Sequence, residues 1–187
     1  NKIQDLNNNK KITGILIQLP LPSTINTTEI INTVSPIKDV DGLTNKSFED
    51  LSKGDETFAC CTPKGIIKLL EANKITLKNK KIAVVGYGKL VGKPLVEMLQ
   101  NRNINFTLCT KTANNLKQEI PNADIIISAT GVPHLIKKDL IKKNAIIIDA
   151  GTAKLNGKIV GDIDFKNVIN KVSKITPVPG GVGPMTI

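Results

Sequence analysis

The sequence predicts an α/β chain: a doubly wound parallel sheet preceded by the remnant of an N-terminal α/β domain. Three observations predict it. From Lys80 onward, short β-branched runs alternate with amphipathic stretches of helical period. Those runs are apolar throughout, as strands are when helices cover both faces of a parallel sheet. Before Lys80 the pattern is irregular, with turn-rich loops between a few short apolar segments. The boundary between the two regions is placed near Thr76–Lys80.

The elements follow in order. "TGILIQLPLP" predicts a short buried strand, Gly14–Leu19, closed by Pro20 and Pro22. "STINTTEIINTV" predicts a helix with Ser23 or Thr24 as N-cap and Ile30, Ile31 and Val34 facing inward. "SPIKDVDGLTN" is a turn-rich loop. "CTPKGIIKLLEANKI" predicts a helix with Thr62 as N-cap, Pro63 at the first helical position, and Ile66, Ile67, Leu69 and Leu70 apolar. Then come strand "KIAVVG", helix "KPLVEMLQNRN", strand "NFTLCT", helix "NNLKQEI", strand "ADIIISAT", helix "KKDLIKKN" and strand "AIIIDAG". The last stretch, "ITPVPGGVGPMTI", is stiff at Pro177 and Pro179 and permissive at Gly180-Gly181, with Pro184 suited to the first turn of a helix. That pattern reads either as a loop before a frayed terminus or as a binding loop in a chain that has been cut. Residue 1 is Asn rather than Met, so the chain reads as an internal stretch of a soluble protein.

Composition excludes several functions. The net charge of +10 suggests nucleic acid, but Arg102 is the only arginine and the lysines are dispersed. With no Trp, one Tyr and four Phe, a base-stacking platform is poorly supplied. The basic balance suits anionic small molecules instead. No stretch approaches the roughly 18 apolar residues a membrane span needs. Cys60 and Cys61 are adjacent and Cys109 is alone, a pattern that fits a reducing compartment. With His134 as the only histidine, a His-based metal site or a Ser-His-Asp triad is nearly excluded, and no metal is expected.

Chemistry concentrates in three places. In "KIAVVGYGKLVGKP", Gly86, Gly88 and Gly92 fall where a buried strand turns into a helix. The spacing is one residue longer than the usual dinucleotide fingerprint, but its reasons remain: a tight turn, close approach to pyrophosphate, and amides at a helix N-terminus. The next strand ends Cys109-Thr110-Lys111-Thr112, without the acid that binds the ribose of NAD. Lys111 suits a 2′-phosphate, which favours NADP; the alternative is one more solvated lysine. In "PIKDVDG", Asp39 and Asp41 lie two apart, and either could complete an Asx-turn with Gly42. Gln18 lies inside an apolar run, where an unpaired amide costs roughly 1–3 kcal/mol, so it needs a buried partner or a ligand.

"GILIQLPLP", "PIKDVDGL", "CTPKGIIKLL", "VVGYGKLVGKPL", "LCTKTANNL", "ADIIISATGVP", "AIIIDAGT", "GKIVGDIDF" and "ITPVPGGVGPMT" occur in this order. Together they resemble bifunctional methylenetetrahydrofolate dehydrogenase/methenyltetrahydrofolate cyclohydrolase, the FolD type, across essentially the whole chain after about residue 12. The resemblance implies a Rossmann-like domain at 77–170, part of a catalytic, folate-binding domain at 1–76, and a return segment to the folate cleft at 171–187. It implies NADP-dependent oxidation of 5,10-methylenetetrahydrofolate to 5,10-methenyltetrahydrofolate, then hydrolysis to 10-formyltetrahydrofolate. By the same resemblance, Gln18 matches an active-site glutamine and Asp41 the pterin-binding aspartate. Pro179, Gly180 and Gly181 fall on the substrate side. Gly86, Tyr87, Gly88, Lys111, Thr130, Gly131 and Thr152 fall on the cofactor side. A cytoplasmic homodimer of one-carbon metabolism, serving tetrahydrofolate interconversion and purine biosynthesis, is also implied, with tetrahydrofolate derivatives as partners and neither nucleic acid nor membrane.

The chain departs from the family pattern at Tyr87-Gly88, where Arg-Ser is usual, and at Cys109-Thr110-Lys111, where Cys-His-Ser is usual. The family's Tyr-x-x-x-Lys pair lies upstream of "GILIQLPLP" and does not occur in these 187 residues. The chain by itself is therefore expected to be inactive. Two other readings remain at this point: a different NAD(P)-dependent oxidoreductase, and a non-enzymatic nucleotide-binding module.

Overall fold

The computed structural model describes residues 2–111 and 113–187. It contains two compact units, Asn1–Cys61 and Thr62–Ile187.

In the first unit, helices α1 (Lys2–Asn8), α2 (Thr27–Asn32) and α3 (Asn45–Ser52) are joined by long loops. Asn26 caps α2, accepting from the Glu29 amide at 3.2 Å, so the helix starts later than Ser23 or Thr24 would set it. Val34 is buried but lies beyond the end of α2, while Ile30 and Ile31 are half-buried. The predicted strand Gly14–Leu19 does not form. Only Ile15 pairs, in a single parallel bridge with Asp39, its amide donating to Lys38 O at 2.8 Å. An apolar run becomes a strand only where a neighbour takes its amides. None of the described residues does so beyond Ile15, and Leu16 is 58% exposed.

Helix α4 (Cys61–Ala72) starts on the last residue of the first unit and otherwise belongs to the second, where it buries Ile66, Ile67 and Leu70. This helix starts at Cys61 rather than after Thr62, so Pro63 is its third residue, still within the first turn where no amide is missed. Next come β1 (Ile82–Val85), α5 (Gly92–Asn101), β2 (Thr107–Cys109), α6 (Leu116–Glu119), β3 (Ile125–Ser128) and β4 (Ile146–Asp149). β5 (Ala153–Leu155) and β6 (Lys158–Val160) form an antiparallel hairpin about Asn156-Gly157. α7 (Phe165–Val168), β7 (Lys174–Ile175) and α8 (Val182–Thr186) complete the chain.

The main sheet has the order β2-β1-β3-β4-β7, every pair parallel. β1 and β3 are buried at every position. Ala83, Val85, Ile126 and Ile147 pack with Ile120, Ile136, Ile163 and Val168 in one cluster. Val84 and Ile127 alternate to the opposite face and are fully buried too, as a doubly covered sheet requires.

One predicted helix is absent. "KKDLIKKN" makes only a 3-10 turn at Lys138–Leu140. Ile136 pairs with Ile163 in a parallel bridge, which starts the segment extended, and Asn144 at φ 64 ends it. The hairpin, β7 and α7 are elements the sequence reading did not place.

Candidate active site

Strand register builds one edge of the second unit. Cys109, Val85, Ser128 and Asp149 are paired in a single row across β2, β1, β3 and β4. The chain leaves that row through amides bonded to the neighbouring strand: Gly86 to Cys109 O at 2.9 Å, Ala129 to Val85 O at 2.8 Å, Ala150 to Ser128 O at 2.8 Å. In a 2-1-3-4-5 order the direction of winding reverses between β1 and β3, and the loops there diverge to leave a crevice.

The glycine turn lies in that crevice. Gly86 has φ 98, and a Cβ on it would come within 2.6 Å of Ala129 O and 3.2 Å of Thr130 Cγ2. A Cβ on Gly92 would collide with Gly86 O. The two glycines thus close the turn against each other and bring the first turn of α5 beside the strand end. Gly88 has open space around it, Tyr87 is 45% exposed, and Gly131 has φ 68. This is a glycine-lined turn at the start of a helix, with open space at Gly88, which fits a dinucleotide pyrophosphate. Lys111 is exposed two residues beyond Cys109, in a loop tied back by Asn115 Nδ2 to Leu108 O at 3.0 Å. Thr112 lies outside the described residues. Asn115 Oδ1 is buried with no hydrogen-bond partner among them.

Two buried acids that the sequence reading did not single out hold the loops beyond β3 and β4. The Asp162 carboxylate, fully buried, accepts from Ser128 Oγ at 2.6 Å, the Thr130 amide at 2.7 Å and the Val132 amide at 3.0 Å. Asp149 accepts from the amides of Gly151 at 3.0 Å, Asp162 at 3.1 Å and Ile163 at 2.9 Å. A Cβ on Gly151 would collide with the Asp162 carboxylate, and one on Gly161 with that of Asp149. Burial pushes the Asp149 carboxyl up to about 6, with the Asp162 charge adding to the rise and the three amides opposing it. The signal available in sequence was a lone acid at the end of the apolar run "AIIID" and another inside "GDID".

Thr130 and Gly131 are therefore placed by Asp162. Thr152 is exposed and lines a cleft of about 650 Å³ together with Thr62, Val91, Pro179, Gly180 and Gly181. One predicted cofactor residue and all three predicted substrate residues of the closing segment thus share a cavity. α8 follows directly, with Pro184 as its third residue and Thr186 Oγ1 3.0 Å from Thr62 Oγ1.

In the first unit, Asp39 and Asp41 divide the two roles the sequence left open. Asp39 is buried and accepts from the amides of Leu43 at 3.2 Å and Thr44 at 2.8 Å and from Ser47 Oγ at 2.7 Å. It is the structural member. The half-buried Asp41 carboxylate has no such bond among the described residues, and burial and the nearby Asp39 hold its pKa above the ordinary carboxylate value. The expected burial of Gln18 is corrected: the side chain is exposed, and its amide donates to Leu19 O at 3.0 Å. No buried partner is needed because the strand that would bury it does not form. Among the described residues, no cluster of three or more His, Cys, Asp or Glu could hold a metal ion, and no helix is long and apolar enough to cross a membrane.

A parallel sheet of this order, with a glycine turn and a helix N-terminus at the switch point, defines a nucleotide-binding α/β protein. Comparison with known proteins narrows the class. Residues 60–187 match the family model for the tetrahydrofolate dehydrogenase/cyclohydrolase NAD(P)-binding domain, and residues 1–41 the model for the catalytic domain of the same family. The bifunctional protein FolD of Clostridium novyi is 45% identical over 186 residues, which cover 100% of this chain and 67% of that relative. The crystal structure of the bifunctional FolD of Campylobacter jejuni superposes with a TM-score of 0.94 at 42% identity, covering 99% of this chain and 66% of that one. The FolD of Trypanosoma brucei, complexed with NADP and an inhibitor, gives 0.91 at 30% identity, covering 99% and 66%. The chain belongs to the tetrahydrofolate dehydrogenase/cyclohydrolase family, and it spans about two thirds of the length of these relatives.

Proposed function

We propose that the chain serves NADP-dependent oxidation of 5,10-methylenetetrahydrofolate to 5,10-methenyltetrahydrofolate and hydrolysis of the latter to 10-formyltetrahydrofolate. The observation that carries this is the Gly86–Gly92 cradle at the β1/β3 switch, beside a β2 end that offers Lys111 and no acid. When bound, NADP supplies the hydride acceptor. The protein's part is placement: Gly86, Tyr87 and Gly88 line the pyrophosphate turn, Lys111 meets the 2′-phosphate, and Thr130, Gly131 and Thr152 flank the rest of the nucleotide. Asp41 accepts hydrogen bonds from the aminopyrimidine edge of the pterin, Gln18 orients the reacting end, and Pro179–Gly181 border the substrate. By function the chain divides at 1–76, 77–170 and 171–187. We also propose a cytoplasmic homodimer of one-carbon metabolism whose product serves purine biosynthesis. Free cysteines support a reducing compartment, and Leu155 and Ile159, exposed on the hairpin, support self-association.

Titrating NADP and NAD against the chain and Lys111→Ala tests the cofactor assignment. Loss of one charge-assisted contact should weaken NADP about tenfold and leave NAD unmoved; an unchanged NADP/NAD ratio would remove Lys111 from the site. Turnover tests the rest. The only tyrosine, Tyr87, has Val91 four residues on, so the 187 residues contain no Tyr-x-x-x-Lys. A positioned acid/base is worth roughly 10²–10⁴-fold. The chain should bind NADP yet convert methylenetetrahydrofolate at background rate, and a rate well above background would locate the proton carrier among its own lysines.

A further inference from the structure

Cys60 and Cys61 take no part in the chemistry above, yet their thiols end on the two carbonyls that flank Asp41. Cys60 Sγ donates to Gly42 O at 3.1 Å, and Cys61 Sγ donates to Val40 O at 3.4 Å. The Asp41-Gly42 turn is pressed onto this segment. Gly42 has φ 66, and a Cβ there would reach Ala59 C and Cys60 N at 2.8 Å and collide with Phe58 O. On its other side the turn is held by the Asp39 carboxylate through Leu43, Thr44 and Ser47. Every anchor therefore grips the peptide units around Asp41 and leaves its carboxylate open.

The identity of the donors matters. A lysine or arginine holding those carbonyls would place a cation beside Asp41 and compete with a ligand's N–H groups. The nearest lysine in sequence is Lys38, and it is engaged elsewhere: its ammonium donates to Leu6 O, Asn7 O and Asn9 O at 2.7–2.9 Å. A thiol is a neutral donor. Cys60 is only 4% exposed, so water cannot replace its proton. Burial and then the Asp39 charge push that thiol up to about 12, which keeps the proton in place at any working pH.

We propose that Cys60, assisted by Cys61, is a positioning residue: the two thiols hold the carbonyls of the residues on either side of Asp41, Gly42 and Val40, and so aim the Asp41 carboxylate at the substrate. The proposal rests on the reading of Asp41 as the pterin-binding residue. Calorimetric titration with tetrahydrofolate, on the chain and on Cys60→Ala, Cys60→Ser, Asp41→Ala and the Asp41/Cys60 double alanine variant, tests both. Cys60→Ala should weaken tetrahydrofolate about 2- to 10-fold, the range of one lost hydrogen bond. Cys60→Ser keeps a donor and should restore affinity, and the double variant should be no weaker than Asp41→Ala alone. NADP affinity should not move in any of them, which a general loss of folding would not allow. If Cys60→Ala does not fold, Cys60→Val replaces it, filling the volume without a donor. Weakening by Asp41→Ala with none from Cys60→Ala, or effects that simply add, would overturn the positioning role alone. No heat from the parent chain, or none lost on Asp41→Ala, would overturn the reading of Asp41 beneath it.

Discussion

In the second unit, five parallel strands take up the backbone amides, and two buried carboxylates finish the loops where the strands end. In the first unit the described residues contain a single bridge, Ile15 with Asp39. There the backbone is held piecemeal: Asp39 on two amides, Lys38 on three carbonyls, two thiols on two more. The difference shows two ways of presenting a polar site. A sheet edge fixes many loops at once, and a few short-range contacts suffice to finish it. A loop-built site needs a dedicated partner for each peptide group, so it carries more of its structure in individual side chains.

The largest effect should come from crowding the sheet edge. Gly161→Ala puts a methyl group where the Asp149 carboxylate lies and breaks a buried carboxylate from three amides. A loss of about 3–5 kcal/mol in urea unfolding is expected; a loss below about 1 kcal/mol would show that the two carboxylates are not what holds these loops. Next in size is pH. Asp149 is raised from 3.8 to about 6 on folding, so the folded state binds its proton more tightly than the unfolded chain does. Its contribution to stability is fully present below 3.8 and is lost as pH rises through 6, by at most ~3 kcal/mol. The stability difference between the parent and Asp149→Asn should therefore narrow between pH 4 and pH 7, and a difference constant across that range would contradict the shift. The smallest effect belongs to the first unit. Gln18→Ala should change stability by less than about 0.5 kcal/mol, because the side chain is exposed and, among the described residues, bonds to the adjacent Leu19 carbonyl alone. A loss above 1 kcal/mol would mean that the glutamine is buried after all.

The same contrast governs what could be read from sequence. The strands "KIAVVG", "ADIIISAT" and "AIIIDAG" were legible because continuous β-branched runs have few other ways to be buried. The glycine turn was legible because Gly86 and Gly92 are required by backbone contacts that admit no Cβ. Gly14–Leu19 was misread for the converse reason: an apolar run implies a strand only when a partner strand exists, and pairing is a property of other parts of the chain. The β5–β6 hairpin left a usable signal, Asn156-Gly157, whose φ values of 50 and 76 suit a two-residue turn. Asp149 and Asp162 left almost none. Each looks like an ordinary acid after an apolar stretch, and their partners are amides brought close only by the strand register.

The reciprocal seating of those two acids has a kinetic consequence. The amides of Thr130 and Val132 end on Asp162, whose own amide ends, with those of Gly151 and Ile163, on Asp149. Each carboxylate also covers the glycine beside the other. Neither loop can lift away while the other stays in place without stranding a buried charge from its donors. The loops beyond β3 and β4 and the segment that follows β6 must therefore open together, so hydrogen–deuterium exchange at these five amides proceeds through one shared excursion rather than five local ones.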